Sequence, residues 1–422
     1  MRSLLSRPPR SLDQWIETGI QVGILGLLSG IFLVEHIRVW PNIALAALLI
    51  SALAHALRTR PPFWQSLREP PFWAYMAIYV LLAFSMVFTA QTNVGYATGQ
   101  LEMKVLFVVL PLAFALLPAL TARTYQRYLL AFVAMTLLTS FFSLRDYFLH
   151  REEVLQAYGR AGIMFTVTHH VRYSVLVCYA LFCSGYLAQQ ASSLFKRIIF
   201  LAVTCFFVLF LHILAVRTGL ICFYALAAWL ALRQLGRQKR WVGALLLLVI
   251  LGTAVVAFTR LETLQKRVEY TLYDLEQYQN DPASANNYSM ARRLLAYQVA
   301  WDTFRANPLF GVGEGNVQAA LQERYRQEHT YITPDNYLMP HNEFLRFMAA
   351  EGLVGLGGFL FLFYYPWLSG RRYRFLPLSA FYLVITLSML FEDALNTQLG
   401  LYIGLLFPML HLTYLRGEAA HT

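Results

Sequence analysis

Long apolar runs recur along almost the whole chain and limit it to one kind of architecture. Twelve runs can be separated, and each is close to the roughly 20 residues that one membrane-crossing helix needs. Because a backbone in lipid must satisfy its own hydrogen bonds, the sequence predicts an all-α polytopic membrane protein with about 12 transmembrane helices. The runs lie at residues 18–34, 42–57, 72–90, 105–120, 128–144, 173–189, 198–216, 219–232, 241–258, 352–368, 376–391 and 400–415.

Composition excludes the main alternatives to a helical membrane protein. Hydrophobic residues make up 58% of the 422 residues and charged residues only 14%, whereas soluble domains are roughly a quarter charged. Disorder requires low hydrophobicity, and a porin-like barrel requires strands that alternate apolar and polar residues. No cysteine is part of a CxxC pair, and all four lie in apolar runs, which predicts packing residues at Cys178, Cys183, Cys205 and Cys222.

The basic residues indicate how the spans are oriented. If the N-terminus is cytoplasmic, the short outside connections hold only Arg38, Lys104 and Arg217. This asymmetry follows the positive-inside rule, so we expect both termini in the cytoplasm and attribute the net charge of +11 to this bias rather than to nucleic-acid binding. The inside segments hold Arg2, Arg7, Arg10, Arg58, Arg60, Arg68, Arg123, Arg127, Lys196, Arg197, Arg233, Arg237, Lys239, Arg240, Arg371, Arg372, Arg374 and Arg416.

The same pattern divides the chain into three parts. Residues 1–258 hold nine spans with short connections and one periplasmic loop at about 145–172. Residues 259–342 form a large periplasmic loop, and residues 343–422 hold the last three spans and a cytoplasmic C-terminus. Helical periodicity and turn residues predict three loop helices, at 261–278, 289–305 and 317–328. Most of the loop's arginines are expected to pair with its many acidic residues.

Several polar residues that could carry chemistry map to the predicted periplasmic face. Arg160 and Arg172 belong to the shorter loop, Arg217 lies between two spans, and Arg293 lies in the second loop helix. His341 stands where the large loop re-enters the membrane. Two interpretations of Arg217 stay open, snorkelling to the interface or anion binding, and His341 is either an interfacial anchor or a functional residue.

Nucleotide and metal motifs are not supported. Gly311, Gly313 and Gly315 have no Gly-Lys-Ser/Thr and no βαβ context, so they do not form a phosphate-binding loop. His169 and His170 are adjacent and point in different directions, and neither an HExxH motif nor a carboxylate triplet accompanies them. We predict no metal and no cofactor.

Three sequence motifs carry a family resemblance. They are Ser289-Met-Ala-Arg-Arg293 with Trp301, then Asn307-Pro-Leu-Phe-Gly311-Val-Gly313, then Pro340-His-Asn-Glu-Phe344 followed by Glu351-Gly-Leu-Val-Gly355. Together with Arg217-Thr-Gly219 between two spans, they resemble the O-antigen ligase and polymerase superfamily. The resemblance covers essentially the whole chain, and its most specific part is the combination of the proline-glycine turn with His-Asn at the end of the loop.

The resemblance implies a bacterial inner-membrane glycosyltransferase of the GT-C type. The donor would be a glycan on undecaprenyl diphosphate at the periplasmic leaflet. Ligases transfer it to lipid A–core, polymerases extend it, and oligosaccharyltransferases attach it to protein. The protein-modifying branch usually carries an additional C-terminal region, whereas this chain stops soon after its last span. Polymerases often show Arg-x10-Gly in two periplasmic loops; Arg151 and Gly162 fit once, but the large loop holds no second case, so we favour the ligase.

The resemblance and the chemistry together suggest roles for the polar residues. His341 would act as the base that takes the acceptor's proton, because histidine titrates close to working pH. Arg217 and Arg293 would hold the diphosphate, Arg160 and Arg172 would add further substrate contacts, and Asn342 or Glu343 would orient the imidazole. Direct attack would invert the anomeric centre without a metal. We also expect the arginines to lower the pKa of His341.

A transporter or flippase for the same lipid is the alternative from another class. Such a protein is expected to place ionisable residues near the bilayer midplane. The candidates His55, His212 and His411 lie near span ends, which favours an enzyme that works at the membrane surface.

Overall fold

The computed structural model describes residues 11–59, 69–160, 162–236 and 240–419 and contains no β-strand within them. The basic residues Arg2, Arg7, Arg10, Arg60, Arg68, Arg237 and Lys239, used above for orientation, lie outside the described residues. The described part forms α1 (Leu12–Leu33), α2 (Trp40–Thr59), α3 (Pro70–Ser85), α4 (Val94–Lys104), α5 (Leu106–Ala115), α6 (Ala122–Leu149), α7 (Arg151–Tyr158), α8 (His170–Gln190), α9 (Leu194–Leu214), α10 (Arg217–Leu235), α11 (Arg240–Arg260), α12 (Glu262–Asn280), α13 (Ser289–Ala306), α14 (Val317–Glu328), α15 (Glu343–Leu368), α16 (Leu376–Met389) and α17 (Gln398–Ala419).

The apolar helices reproduce the twelve predicted runs. Within the described ranges, eleven helical segments are long and apolar enough to cross a membrane, α4 and α5 counting as one segment. The remaining run corresponds to α16, which is apolar but has only 14 residues. The protein is therefore an all-helical, multi-pass membrane protein, as the sequence predicts.

The bundle is built around two buried helices. The apolar 18-residue stretch of α17 is 83% buried within the protein and that of α8 is 78% buried, whereas that of α11 is only 11% buried. The histidine inside α17 is accommodated by hydrogen bonds at both ring nitrogens, between His411 Nδ1 and the Tyr125 hydroxyl (2.9 Å) and between Nε2 and the Tyr179 hydroxyl (2.6 Å). Because α11 packs along one side only, most of its aliphatic surface is left for lipid.

All three predicted loop helices are confirmed as α12, α13 and α14. The helix α7 and the helix α4 were not predicted, because α7 is short and α4 is less apolar than the spans. The tenth span was predicted to start at Gly352, and α15 is broken at this residue, with φ 63° and ψ −165°. The helical residues from Glu343 up to the break were not predicted.

This break explains why two sequence motifs occur together. Backbone N–H groups of Val312 and Gly313 donate to the carbonyls of Ala349 (3.1 Å) and Ala350 (2.7 Å), while those of Leu353 and Val354 donate to residues 308 and 309 (2.9 and 3.1 Å). A Cβ atom on Gly352 would lie 2.4 Å from the Leu309 carbonyl. The proline-glycine turn therefore pairs with the broken helix, and the glycine is needed for the close approach and the positive φ.

Buried ion pairs connect Glu314, the residue after the proline-glycine turn, to the membrane-spanning helices. Glu314 is 1% exposed and forms ion pairs with Lys104 in α4 and Arg346 in α15, the latter at 2.6 Å. Ser85 accepts a hydrogen bond from the Glu314 backbone N–H (3.1 Å) and donates to Glu351 Oε1 (2.6 Å). These contacts fix the large loop on the end of the bundle where α15 begins.

Candidate functional site

His341 faces two carboxylates at the turn that leads into α15. Its Nδ1 lies 3.5 Å from Glu392 Oε2 and 3.5 Å from Asp393 Oδ1. Both acidic residues belong to the connection between α16 and α17, which reaches the same end of the bundle. The histidine side chain is 25% exposed, and its Nε2 makes no hydrogen bond to any described residue. Nε2 is therefore the ring nitrogen available to a substrate.

The backbone around His341 is held from three directions. The Tyr297 hydroxyl donates to the His341 carbonyl (2.8 Å) from α13. Asn342 is the N-cap of α15: its Oδ1 accepts from the Leu345 N–H (3.0 Å), and its Nδ2 donates to the Leu390 carbonyl (3.0 Å). Asn342 thus positions the chain that carries the imidazole rather than the ring itself.

Glu343 does not contact the imidazole, contrary to one of the two orienting roles suggested above. Its buried carboxylate accepts from the backbone N–H of Leu395 (2.8 Å) and from Asn396 Nδ2 (3.1 Å). Those residues form the turn directly after Asp393. We call Glu392 and Asp393 the acidic pair. Glu343 holds the connection that carries this pair, because two hydrogen bonds tie that turn to the first residue of α15.

Glu392 lies between two cationic groups. Its side chain is 3% exposed; Oε1 accepts from Arg172 Nη2 at 2.8 Å, while Oε2 faces His341 without a hydrogen-bond partner among the described residues. Burial alone would raise the pKa of Glu392, but His341 and Arg172 hold it at about 2. Arg172, predicted to contact the substrate, is thus paired with a carboxylate, although its buried Nε has no partner in the described ranges.

The acidic pair reverses the expected titration of His341. Burial lowers the pKa of this histidine, and Arg293 acts in the same direction. The carboxylates of Asp393 and Glu392 outweigh both effects and raise the pKa to about 9. Arg293 thus lowers the pKa of His341 as expected, but the net shift is upward, because two acidic residues that were not singled out from the sequence face the ring.

Three arginines from different helices converge beside the histidine. Arg217, at the start of α10, is within electrostatic range of Arg267 and Arg293. Within the described part of the chain it donates to Thr271 Oγ1 (3.4 Å) and Met290 Sδ (3.5 Å), and neither atom carries a charge. Arg267 is 7% exposed, and its buried Nε and Nη1 have no hydrogen-bond partner in that same part. We call Arg217, Arg267 and Arg293 the arginine cluster.

Among the described residues, no carboxylate forms an ion pair with the arginine cluster. The nearby Asp274 is fully buried, and its carboxylate accepts from the backbone N–H groups of Met290 (2.7 Å) and Ala291 (2.9 Å). It therefore caps the first turn of α13 instead of pairing with a guanidinium. Burial lowers the pKa of Arg267 and the positive charge of Arg293 adds to that shift, so an anion entering the cluster would relieve an unfavourable arrangement.

The cluster and the histidine are neighbours through α13. Arg293 acts electrostatically on His341, and Tyr297, one helical turn further along, donates to the His341 carbonyl. Arg160, in contrast, is exposed after the end of α7 and forms no ion pair or hydrogen bond within the described ranges through its side chain. The structure therefore brings Arg217, Arg293 and His341 together and leaves Arg160 at the surface.

The prediction that most loop arginines form salt bridges is wrong. All the basic residues of the loop are described, and two of its arginines have carboxylate partners, Arg324 with Glu328 (2.5 Å) and Arg326 with Glu323 (3.5 Å). Arg292 instead donates to the carbonyls of residues 285 and 286. Arg267 and Arg293 form no ion pair with the described residues, and an anionic ligand would fit beside them.

The acidic pair and the histidine also form a potential metal site that was not predicted. One ligand atom each from His341, Glu392 and Asp393 lies within 4.8 Å of the others. Imidazole and carboxylate suit several divalent cations. The same three groups can equally pass or hold a proton, and Arg172 already compensates the charge of Glu392.

The family comparison covers the part of the chain that carries most of these features. Residues 200–360 match the family model Wzy_C, described as O-antigen ligase. The match includes Arg217, Arg267, Arg293 and His341, and it ends before Glu392. No curated protein matches the chain. This stretch of the chain is therefore similar to the O-antigen ligase family.

Three residues of the site were missed at the sequence level. Arg267 was counted among the salt-bridge arginines, and Glu392 and Asp393, which directly follow the predicted span 376–391, were not considered. The span count carried a signal for the acidic pair, because the connection between the last two spans falls on the same side as the large loop. Nothing in the sequence distinguishes Arg267 from the other loop arginines.

Proposed function

We propose that the protein is an O-antigen ligase. It would transfer a glycan from undecaprenyl diphosphate to a sugar hydroxyl of lipid A–core at the periplasmic face of the inner membrane, with inversion and without a metal. The observation that carries the proposal is the arginine cluster, which is unpaired with carboxylates and adjoins a histidine held against two carboxylates.

The arginine cluster suits the donor. A guanidinium remains protonated and offers paired N–H donors that match phosphate oxygens. Arg217, Arg267 and Arg293 would bind the diphosphate and stabilise the charge that grows on it as the bond to the sugar breaks. Arg267 is buried and Arg217 and Arg293 are half-buried, which strengthens this interaction because a partly dry site screens charge less than water does.

His341 suits the acceptor. The hydroxyl oxygen would attack the anomeric carbon, its bond to that carbon would form, and the bond from that carbon to the diphosphate oxygen would break. The hydroxyl proton would pass to Nε2 of His341, and the diphosphate would leave with the electron pair. Glu392 and Asp393 would stabilise the imidazolium that results, as the raised pKa of His341, about 9, indicates.

The charge pattern supports the proposed orientation. Arg371, Arg372 and Arg374 follow α15 at the end opposite His341, as the positive-inside rule requires if the site is periplasmic. In this orientation both termini lie in the cytoplasm.

Reconstitution tests the proposal directly. The purified protein is incubated with undecaprenyl-diphosphate glycan and rough lipopolysaccharide, with and without EDTA, and the glycosylated lipopolysaccharide is measured. We expect a product in both conditions, with a loss on the order of 100-fold or more for Arg217→Lys. Arg324→Lys, on a helix surface with its own carboxylate partner, is the matched control and should retain activity.

The other activities have distinct outcomes in the same assay. Longer undecaprenyl-linked glycans without modified lipopolysaccharide would identify a polymerase. Translocation of the glycolipid in liposomes without any product would identify a transporter. Loss of activity in EDTA that is restored by a divalent cation would assign His341, Glu392 and Asp393 to a metal and refute the metal-independent reaction.

A further inference from the structure

A cavity of about 600 Å³ opens at the end of the bundle farthest from His341. It lies where α15 ends and α16 begins, and residues near the start of α3 and the end of α17 complete its wall. Because α15 begins next to His341 and runs away from it, this cavity is separate from the candidate site described above.

Positive charge dominates the wall of this cavity. Four arginines and two glutamates line it, which leaves a surplus of two positive charges: Arg371, Arg372, Arg374, Arg416, Glu69 and Glu418. Arg416 is partly occupied, since it donates to the carbonyl of Ala115 (2.9 Å) and lies 3.7 Å from Glu69. Arg371 and Arg374 are exposed and form no ion pair with the described residues.

Arg371 is held in a backbone conformation that arginine does not favour. Its φ is 60°, directly after Gly370 with the same φ, so two consecutive residues are left-handed. Residues other than glycine are disfavoured in the left-handed region, because their Cβ atom lies too close to the following carbonyl oxygen. A glycine at 371 would remove that penalty, and a ligand for the guanidinium would explain why an arginine occupies this position.

Beneath the arginines the cavity becomes apolar. Phe72, Phe375, Leu412 and Leu415 line it between the helix ends, and Arg416 stacks over the Phe72 ring with its guanidinium carbon 5.6 Å from the ring centre. A ligand with a phosphate at one end and hydrocarbon at the other fits a cavity with basic residues on one part of its wall and apolar residues on the other. Basic cavities between transmembrane helices are typical binding sites for anionic lipid headgroups.

We propose that this cavity binds the phosphodiester headgroup of an anionic phospholipid from the surrounding bilayer. Arg371 and Arg374 contact the phosphate oxygens, Arg372 supplies further charge, and the apolar wall receives the upper part of the acyl chains. The proposal is independent of the glycosyl transfer proposed for His341, and it predicts lipid binding that does not require either transfer substrate.

Native mass spectrometry of the purified full chain tests this proposal. The protein is titrated with phosphatidylglycerol or with phosphatidylcholine of the same acyl chains. We expect phosphatidylglycerol to bind roughly 30-fold more tightly, since each of two uncompensated arginines near a membrane surface contributes about fivefold. Arg371→Gly should weaken phosphatidylglycerol binding about fivefold, and Arg371→Gly with Arg374→Gln about 30-fold.

The choice of glycine at 371 separates lost binding from lost folding. Arg371→Gly removes the left-handed penalty, so its melting temperature without lipid should be at least that of the parent protein. The control Arg324→Gln/Arg326→Gln removes two arginines at the other end of the molecule and should leave both lipids unaffected. Equal affinity for the two lipids, unchanged binding in the 371/374 variant, or full displacement of the lipid by excess inorganic phosphate would overturn the proposal.

Discussion

The acidic pair next to His341 makes a prediction about pH. A base must be neutral before it takes a proton, and a pKa of about 9 leaves only about one imidazole in a hundred neutral at pH 7. The shift from about 6.5 to about 9 corresponds to roughly 3 kcal/mol in favour of the imidazolium. Transfer by the parent protein should therefore rise about tenfold per pH unit between pH 7 and 8 and level off near pH 9.

Asp393→Asn should shift this profile in a direction that a merely structural role does not predict. The amide keeps the shape but loses the charge, so the apparent pKa should fall by about one unit or more, which is worth about 1.4 kcal/mol. The plateau at high pH should also fall, by on the order of tenfold, because the imidazolium formed during transfer loses a stabilising carboxylate. Asp393 is preferred to Glu392 for this test because removing Glu392 would also leave Arg172 buried and unpaired.

The assay measures initial rates of glycan transfer to rough lipopolysaccharide from about pH 6 to about pH 9.5 with saturating donor. It gives both the apparent pKa and the plateau rate at high pH. Glu323→Gln removes an exposed carboxylate that pairs with Arg326 and should leave the profile unchanged. A parent profile that is flat across this range would refute the assignment of His341 as the base. An Asp393→Asn profile that loses height without moving along the pH axis would refute the electrostatic argument.

Three further predictions follow from other parts of the structure. Arg267→Lys should reduce transfer on the order of 100-fold in the reconstituted assay, because the buried guanidinium with its paired N–H donors is lost. Arg324→Lys should retain activity, and equal sensitivity of the two variants would remove the support for the arginine cluster. Gly352→Ala should destabilise the protein by at least about 2 kcal/mol and lower its melting temperature, since its φ is 63° and the added atom would meet a backbone carbonyl; an unchanged melting temperature would contradict the pairing of the turn with α15. In a background without native cysteines, a membrane-impermeant thiol reagent should label Gln327→Cys but not Tyr373→Cys in intact spheroplasts; the reverse pattern would invert the proposed orientation.

Much of the fold is predictable because lipid imposes a simple rule on sequence. A helix that crosses a membrane must be apolar over most of its length, so the runs of residues in the sequence match the spans observed. The loop helices are equally visible, since Ser289 begins α13 and the Asn307-Pro308 pair follows its end. The break at Gly352 is not visible, because it depends on the approach of residues 308–313, and hydropathy carries no information on that contact.

The site is less predictable because its charges depend on distant parts of the chain. Arg217, Arg293 and His341 are identifiable from the motifs around them, but the partner of Arg172 lies 220 positions away. Burial distinguishes two arginines of the same loop. Arg267 is buried, and its Nε and Nη1 have no partner among the described residues, whereas Arg324 pairs with a carboxylate four residues on. The sequence alone contains no information on burial or on distances in space, so it does not distinguish these two arginines.

The motifs themselves divide between architecture and chemistry. In Asn307–Gly313 and Glu351–Gly355, the conspicuous residues form a backbone clamp between the large loop and the broken start of α15. That clamp fixes the beginning of α15, and Glu343 in its first turn then holds the connection that carries the acidic pair. The chemistry depends on the residues presented by this frame, His341 above all. A variant of the clamp should therefore lower stability and activity together, whereas Asp393→Asn should alter the pH profile in a protein that melts at the parent's temperature.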